Sequence, residues 1–297
     1  MKVLVVGAGF LGSEVLEVAQ SHYPGLEVIA ARRNPKRGNL EQGSLEKQNS
    51  FKWISLDVLS PESFVNIPDD IDIVVYAVSA VDGSERAYHD AYVRGLSNIV
   101  SYFSDSLRSN VLRKFVFISS TGVYSEDSGL TVDEESPLGV DDSFSFRSRL
   151  LVAGEDIVRQ EIESKKSLVL RFSGIYGQGR NYLIDAARAL KKTISPEEDS
   201  WTNRIHKVDG ARAILYLAHE VDASGTYIIS DSKPVPRSEV LNYLRTLLEL
   251  SPFVRSENNS EKPSKGKICK NTKLINSGFS FNYPTYQEGY ESYAFSS

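Results

Sequence analysis

The chain is poor in the residues that build covalent and metal frameworks. Across 297 residues it holds one cysteine, Cys269, which rules out an internal disulfide set and a thiolate metal cluster and fits a reducing compartment. Its four histidines, His22, His89, His206 and His219, never fall two to an element at metal-ligand spacing, so no metal site is expected. No run of about 18 apolar residues offers a membrane span. Met1-Lys2 leads straight into an apolar strand and leaves no room for a signal peptide, so no membrane partner is expected and the default compartment is the cytoplasm. The net charge is −5 and no element carries a concentrated basic face, which sets nucleic acid aside as a partner. There is no internal repeat. The length suits one large α/β domain, or a nucleotide domain with a smaller lobe.

What is present begins at the N-terminus. Val3-Leu4-Val5-Val6 reads as a buried strand, and Gly7-Ala8-Gly9-Phe10-Leu11-Gly12 follows it into an amphipathic helix with Val15, Leu16, Val18 and Ala19 apolar. The G-x-G-x-x-G spacing at a strand-to-helix junction is that of a dinucleotide-binding turn. Gly7 permits the tight turn, Gly9 lets a pyrophosphate approach bare backbone, and Gly12 lets the helix lie close on the sheet. The phosphates would rest on the positive end of the helix, with Phe10 and Leu11 as further cofactor contacts.

Leu26 to Ala31 is a second strand at the βαβ distance from the glycines. An acidic residue at its end would bind a ribose 2′-hydroxyl and favour NAD; this chain has Arg32-Arg33 instead. Two guanidinium forks there pair with a 2′-phosphate and point to NADP, with NAD as the alternative if the arginines are only a solvated strand end. After a polar loop over 34–50, Phe51 to Leu56 forms a third strand, followed by Asp57-Val58. Asp57 either faces the adenine or caps the helix begun at Pro61. The fourth strand, Ile71 to Val78, is continuously apolar, as parallel strands covered on both faces are. It delivers Ala77, Val78 and Ser79 to the carboxyl edge of the sheet as cofactor contacts.

A helix over Ser84 to Leu107 leads to a fifth strand, Lys114 to Ile118, which ends in Ser119-Ser120-Thr121-Gly122-Val123-Tyr124. A helix over Phe144 to Glu163, a sixth strand over Ser167 to Phe172, a glycine-rich loop over 173–181, a helix over Val208 to His219, a last strand over Thr226 to Ser230 and a helix over Arg237 to Leu250 complete the pattern; 251–267 reads as linker. The alternation predicts an α/β fold, a Rossmann-type doubly wound parallel sheet with a small C-terminal substrate lobe. Residues 1–172, with 205–232 returning to them, form the nucleotide-binding domain, and 173–204 with 233–297 form the lobe.

Gly-Ala-Gly-Phe-Leu-Gly, Phe-Ile-Ser-Ser-Thr-Gly-Val-Tyr, Arg-Phe-Ser-Gly-Ile-Tyr-Gly-Gln-Gly-Arg-Asn, the segment Asn203 to Asp209 and Tyr283-Pro284-Thr285-Tyr286 occur in one order along the chain. Together they resemble the NAD-dependent epimerase/dehydratase family, the extended and atypical branch of the short-chain dehydrogenase/reductase superfamily. The resemblance implies a small-molecule substrate, a monomer or homodimer, and chemistry resting on a Tyr-x-x-x-Lys pair with a Ser or Thr at the fifth strand's end. The lysine lowers the tyrosine's pKa so that it shuttles a proton, while the hydroxyl holds the substrate oxygen.

Ser120 matches the hydroxyl position, with Thr121 beside it and Ser119 among the cofactor contacts. The helix departs from the pattern. Arg149 stands where the lysine belongs, and four residues back is Ser145, so the tyrosine is missing. An aliphatic hydroxyl does not replace a phenol titrating near pKa ~10. Arg149 keeps a fixed charge to hold the nicotinamide ribose. Tyr124 and Tyr176 either act as displaced acids or pack for size, and His206 resembles a family segment that braces the lobe. Two functions fit: an NADP-dependent enzyme reducing, oxidising or epimerising a small carbonyl, alcohol or sugar-like compound, or an NADP-binding sensor or scaffold without turnover.

Overall fold

In the computed structural model the described residues are all except 36–50, 106–107, 109, 125–128, 190–193, 195–197, 253–262, 264 and 295–297. Most of the polar loop at 34–50 and of the linker at 251–267 therefore lies outside them.

Seven strands form the main sheet: β1 (Lys2–Val6), β2 (Glu27–Arg32), β3 (Lys52–Ser55), β4 (Ile73–Tyr76), β5 (Lys114–Ser120), β6 (Ser167–Phe172) and β7 (Gly225–Ile229). Their order is β7-β6-β5-β4-β1-β2-β3, so the winding reverses between β1 and β4. At such a switch point the crossover connections leave the sheet in opposite directions and open a crevice beyond the strand ends. The register is parallel on both sides of β1, pairing Val5 with Ala30 on β2 and with Val75 on β4. All four residues of β4 and all six of β6 are buried, which accounts for the unbroken apolar run that marked the fourth strand in the sequence.

The chain divides into two compact units. The first comprises 1–123, 139–171 and 211–227. Its core gathers Leu4, Val6, Ile29, Val74, Phe115 and Val158, among others, from strands and helices. The long helix after β4 begins at Glu85 with Ser84 as its N-cap, whose side chain accepts the Ala87 N–H at 3.2 Å. It runs to Ser104 through a π-helical segment at Asp90–Arg94. Helix Phe146–Glu161 starts two residues later than the sequence pattern suggested, because Ser145 is its N-cap and accepts the Ser148 N–H at 3.2 Å.

The second unit comprises 124–138, 172–210 and 228–297. It therefore takes in 124–138, 172, 205–210 and 228–232, which the sequence reading had kept with the nucleotide domain. Its core is built around Tyr176, Ile184, Leu241, Leu244, Tyr286 and Tyr290. The glycine-rich stretch after β6 is not simply a loop. Gly174–Tyr176 is a short strand paired in parallel with Arg204–His206, and helix Tyr182–Ala189 follows.

Candidate functional site

The turn after β1 is built as its glycines require. Gly7 has φ +92°, a conformation that favours glycine, and a Cβ there would stand 2.7 Å from the Ala77 carbonyl carbon. Gly12 lies so near the turn that a Cβ would come within 2.5 Å of the Gly7 carbonyl oxygen. Backbone is thus held against backbone between the ends of β1 and β4. Beside it opens a cavity of about 540 Å³, whose wall includes Gly7, Ala8 and Gly9, Arg32 and Arg33, Leu56 to Leu59, and Ala77 to Val81. Phe10 and Leu11 open the helix, with Leu11 buried.

The two arginines are not alike. Arg33 is exposed. Arg32 is half-buried: its Nη2 donates to the Ala8 carbonyl, its guanidinium carbon lies 4.4 Å from the Trp53 ring centroid, and its buried Nε has no partner among the described residues. Burial holds its pKa below the usual value for arginine. An orphaned charged N–H costs about 1–3 kcal/mol or more, and here it belongs to a side chain in the cavity wall.

Asp57 does not cap the helical turn at Pro61–Asn66, whose N-cap is Ser60. Its Oδ1 accepts the Leu59 N–H at 3.0 Å, closing a local turn that fixes Asp57 and Val58 in the wall. Of the small residues after β4, Ala77, Val78 and Ser79 all line the cavity.

At the end of β5 the adjacent serines diverge. Ser119 is buried and donates to Glu155 Oε1 at 2.7 Å, so its hydroxyl is committed to the helix rather than to a ligand. Ser120 Oγ accepts the Gly122 N–H at 3.0 Å, which leaves its own proton to give. The Gly122 carbonyl in turn accepts from Ser148 Oγ at 2.7 Å. Thr121 is 7% exposed. Arg149 pairs with the exposed Asp142 and Arg147 donates to the Gly83 carbonyl at 3.2 Å, so both reach loops rather than occupying the place of a shuttle.

Glu155 escaped the sequence reading. Fully buried, it receives Ser119, Arg171 Nη2 at 2.7 Å and Arg159 Nη2 at 2.6 Å. Only the i,i+4 spacing of Glu155 and Arg159 was visible beforehand.

In the second unit Tyr124 is 1% exposed, and its carbonyl accepts from Lys267 Nζ at 3.2 Å. Tyr176 is 5% exposed, stacks 4.6 Å from Tyr290, and has its pKa pushed far up by burial. His206 is buried 4.1 Å from the Tyr283 ring, with Nδ1 accepting the Val208 N–H at 3.4 Å. Burial, then the nearby Lys207 charge, lowers its pKa to about 4, which keeps it neutral at pH 7. Among the described residues no cluster of three or more His, Cys, Asp or Glu is placed to hold a metal, and no helix is long and apolar enough to cross a membrane.

The sequence profile of the NAD dependent epimerase/dehydratase family matches residues 3–230, which contain both the glycine turn and the serine-bearing end of β5. The chain belongs to that family. A relative named 3-diazoavenalumate denitrifying reductase, from a Streptomyces species, is 26% identical over 263 residues, covering 83% of this chain and 82% of its own. Among solved structures, a protein described as an NAD-dependent epimerase/dehydratase from Methylobacillus flagellatus superposes with a TM-score of 0.75 at 28% identity, covering 99% and 98% of the two chains. A human epimerase family protein solved with NADPH superposes at 0.71 with 16% identity, covering 99% of each, and shares the fold. A nicotinamide cofactor follows from family membership. The glycine cradle and the orphaned Arg32 Nε fit such a group.

Proposed function

We propose that the chain is an NADP-dependent oxidoreductase acting on a small carbonyl or alcohol compound. The observation that carries the reading is the presence of Arg32, with its Nε unpartnered among the described residues, in the cavity wall at the strand end where an acidic residue would select NAD. The bound nicotinamide supplies or accepts a hydride. The turn at Gly7 to Gly9 would hold the pyrophosphate, with Gly12 keeping the helix close behind it, Arg32 the 2′-phosphate, and Ala77, Val78 and Ser79 the adjoining sugar. Ser120 gives a hydrogen bond to the substrate oxygen through its own O–H, and the Ser148 bond to Gly122 steadies the turn that carries it. Arg149 anchors the nicotinamide ribose by exchanging Asp142 for it.

The burial of Tyr124 and Tyr176 supports packing over acid catalysis for both, so the proton comes from water or the substrate. The Streptomyces relative's name favours reduction over epimerisation. Fluorescence titration with NADPH and NADH is the test. Losing one charge-assisted phosphate contact costs about 1.5–3 kcal/mol, so NADPH should bind roughly 10- to 100-fold more tightly. Equal affinities refute the cofactor choice. A panel of carbonyl compounds then separates enzyme from sensor: tight NADPH binding without its oxidation by any of them supports the sensor, while turnover that persists in Tyr124→Phe and falls in Ser120→Ala supports the assignment made here.

A further inference from the structure

We infer that Trp53 is a selectivity platform for the cofactor, an indole whose face holds the Arg32 guanidinium in position to receive a 2′-phosphate. The inference rests on the NADP reading and assigns a positioning role to a residue outside the expected set.

Strand register brings the pair together. Arg32 on β2 lies opposite Ser55 on β3, and Ala30 lies opposite Trp53. Partners in register share a face, and residues two apart along a strand do as well. Arg32 and Trp53 are therefore diagonal neighbours on one face, a spacing of about 7–8 Å that only long or aromatic side chains bridge. They bridge it: the guanidinium carbon lies 4.4 Å from the indole centroid. A second contact, from Nη2 to the Ala8 carbonyl, ties the same guanidinium to the glycine turn. Held by a face and one edge, it has little rotation left, and Nε has no partner among the described residues.

The exposed Arg33 has the opposite character. It stands just past the end of β2 in the same cavity wall, and its carbonyl accepts from Ser55 Oγ at 3.1 Å. An unrestrained arginine loses up to about 2 kcal/mol of rotamer entropy when a ligand fixes it. Arg32 has lost most of that freedom in the folded chain, so the phosphate meets a preorganised donor. Arg32, and not Arg33, is the phosphate reader, and Trp53 is what makes it one.

The chain has two tryptophans, Trp53 and Trp201. In Trp201→Phe protein all indole emission comes from Trp53, and NADPH, whose reduced ring absorbs in the range of indole emission, should quench it; unchanged emission at saturating NADPH overturns the placement of Trp53 beside the site. Calorimetric titration of wild type, Trp53→Ala, Trp53→Leu, Arg32→Ala and the Arg32→Ala/Trp53→Ala pair with NADPH and NADH tests the role, with thermal melts confirming folding. Loss of the cation–π platform should weaken NADPH binding about 3- to 30-fold and leave NADH within about twofold. The second substitution should add nothing to Arg32→Ala. Trp53→Leu carries the same comparison if Trp53→Ala does not fold. An unchanged NADPH affinity in the Trp53 variants while Arg32→Ala loses it, or an equal loss for both cofactors, overturns the platform and leaves the NADP reading standing. A wild type that binds the two cofactors alike removes that reading itself.

Discussion

Replacing Asp231 with asparagine should stabilise the protein, increasingly so as pH rises. Asp231 follows β7 and is 1% exposed. Its Oδ1 accepts the Lys233 N–H at 3.1 Å, but Oδ2 has no partner among the described residues. Burial pushes its pKa up to about 7; the Lys233 amide and the Arg204 charge oppose that shift without cancelling it, and Glu288 adds to it. Since the folded pKa is raised above the ordinary value of 3.8, the folded chain binds this proton more tightly than the unfolded one. The group's contribution to stability is fully present below about pH 4 and is lost as pH rises through about 7. A shift of roughly three units at about 1.4 kcal/mol each sets a ceiling near 4 kcal/mol. Relaxation and water entry bring the expected gain for Asp231→Asn at pH 8 to about 2 kcal/mol. Urea denaturation of both proteins at pH 5 and pH 8 gives the comparison, with the asparagine variant's advantage growing between them. A variant that is less stable by the same amount at both pH values would show that Asp231 is a satisfied carboxylate in solution and refute the argument.

Glu155→Ala leaves Arg159 and the buried Arg171 facing an empty site, and should cost about 3–5 kcal/mol in urea denaturation; a loss below about 1 kcal/mol would mean that the cluster is solvated. Gly9→Val should keep the wild-type melting temperature, because only the Gly7 carbonyl oxygen, at 3.9 Å, lies within 4 Å of a Cβ there. The same variant should lose dinucleotide binding by more than about tenfold in calorimetry, since the side chain fills the pyrophosphate's path; unchanged affinity would make the turn purely structural.

The sheet was legible because its strands are short apolar runs punctuated by glycine, serine and arginine, and buried parallel strands need nothing else. The cofactor turn was legible for a similar reason, its chemistry lying in three glycines within six residues of the chain. What escaped detection is non-local. Trp53 and Arg32 meet only through the register of two strands separated by the segment at 33–51, and Arg171 reaches Glu155 from a different element. The paired strands at Gly174–Tyr176 and Arg204–His206 have three residues each, too few to establish a period of two. The sequence placed Ser119 among the cofactor contacts because nothing local showed a buried carboxylate waiting for its hydroxyl. Strand alternation turns Ser119 toward Glu155 and leaves Ser120 to bond its own turn.

Ser145 has a consequence for how this protein could change. Its backbone angles of −61° and 148° are extended, and its hydroxyl terminates the helix. A tyrosine introduced there would stand outside the helical ridge, off the i,i+4 alignment that brings a phenol over a lysine at 149. It would also remove a cap worth about 1 kcal/mol. Restoring two letters of the family's catalytic pair would therefore not restore the pair: the helix would have to begin a turn earlier.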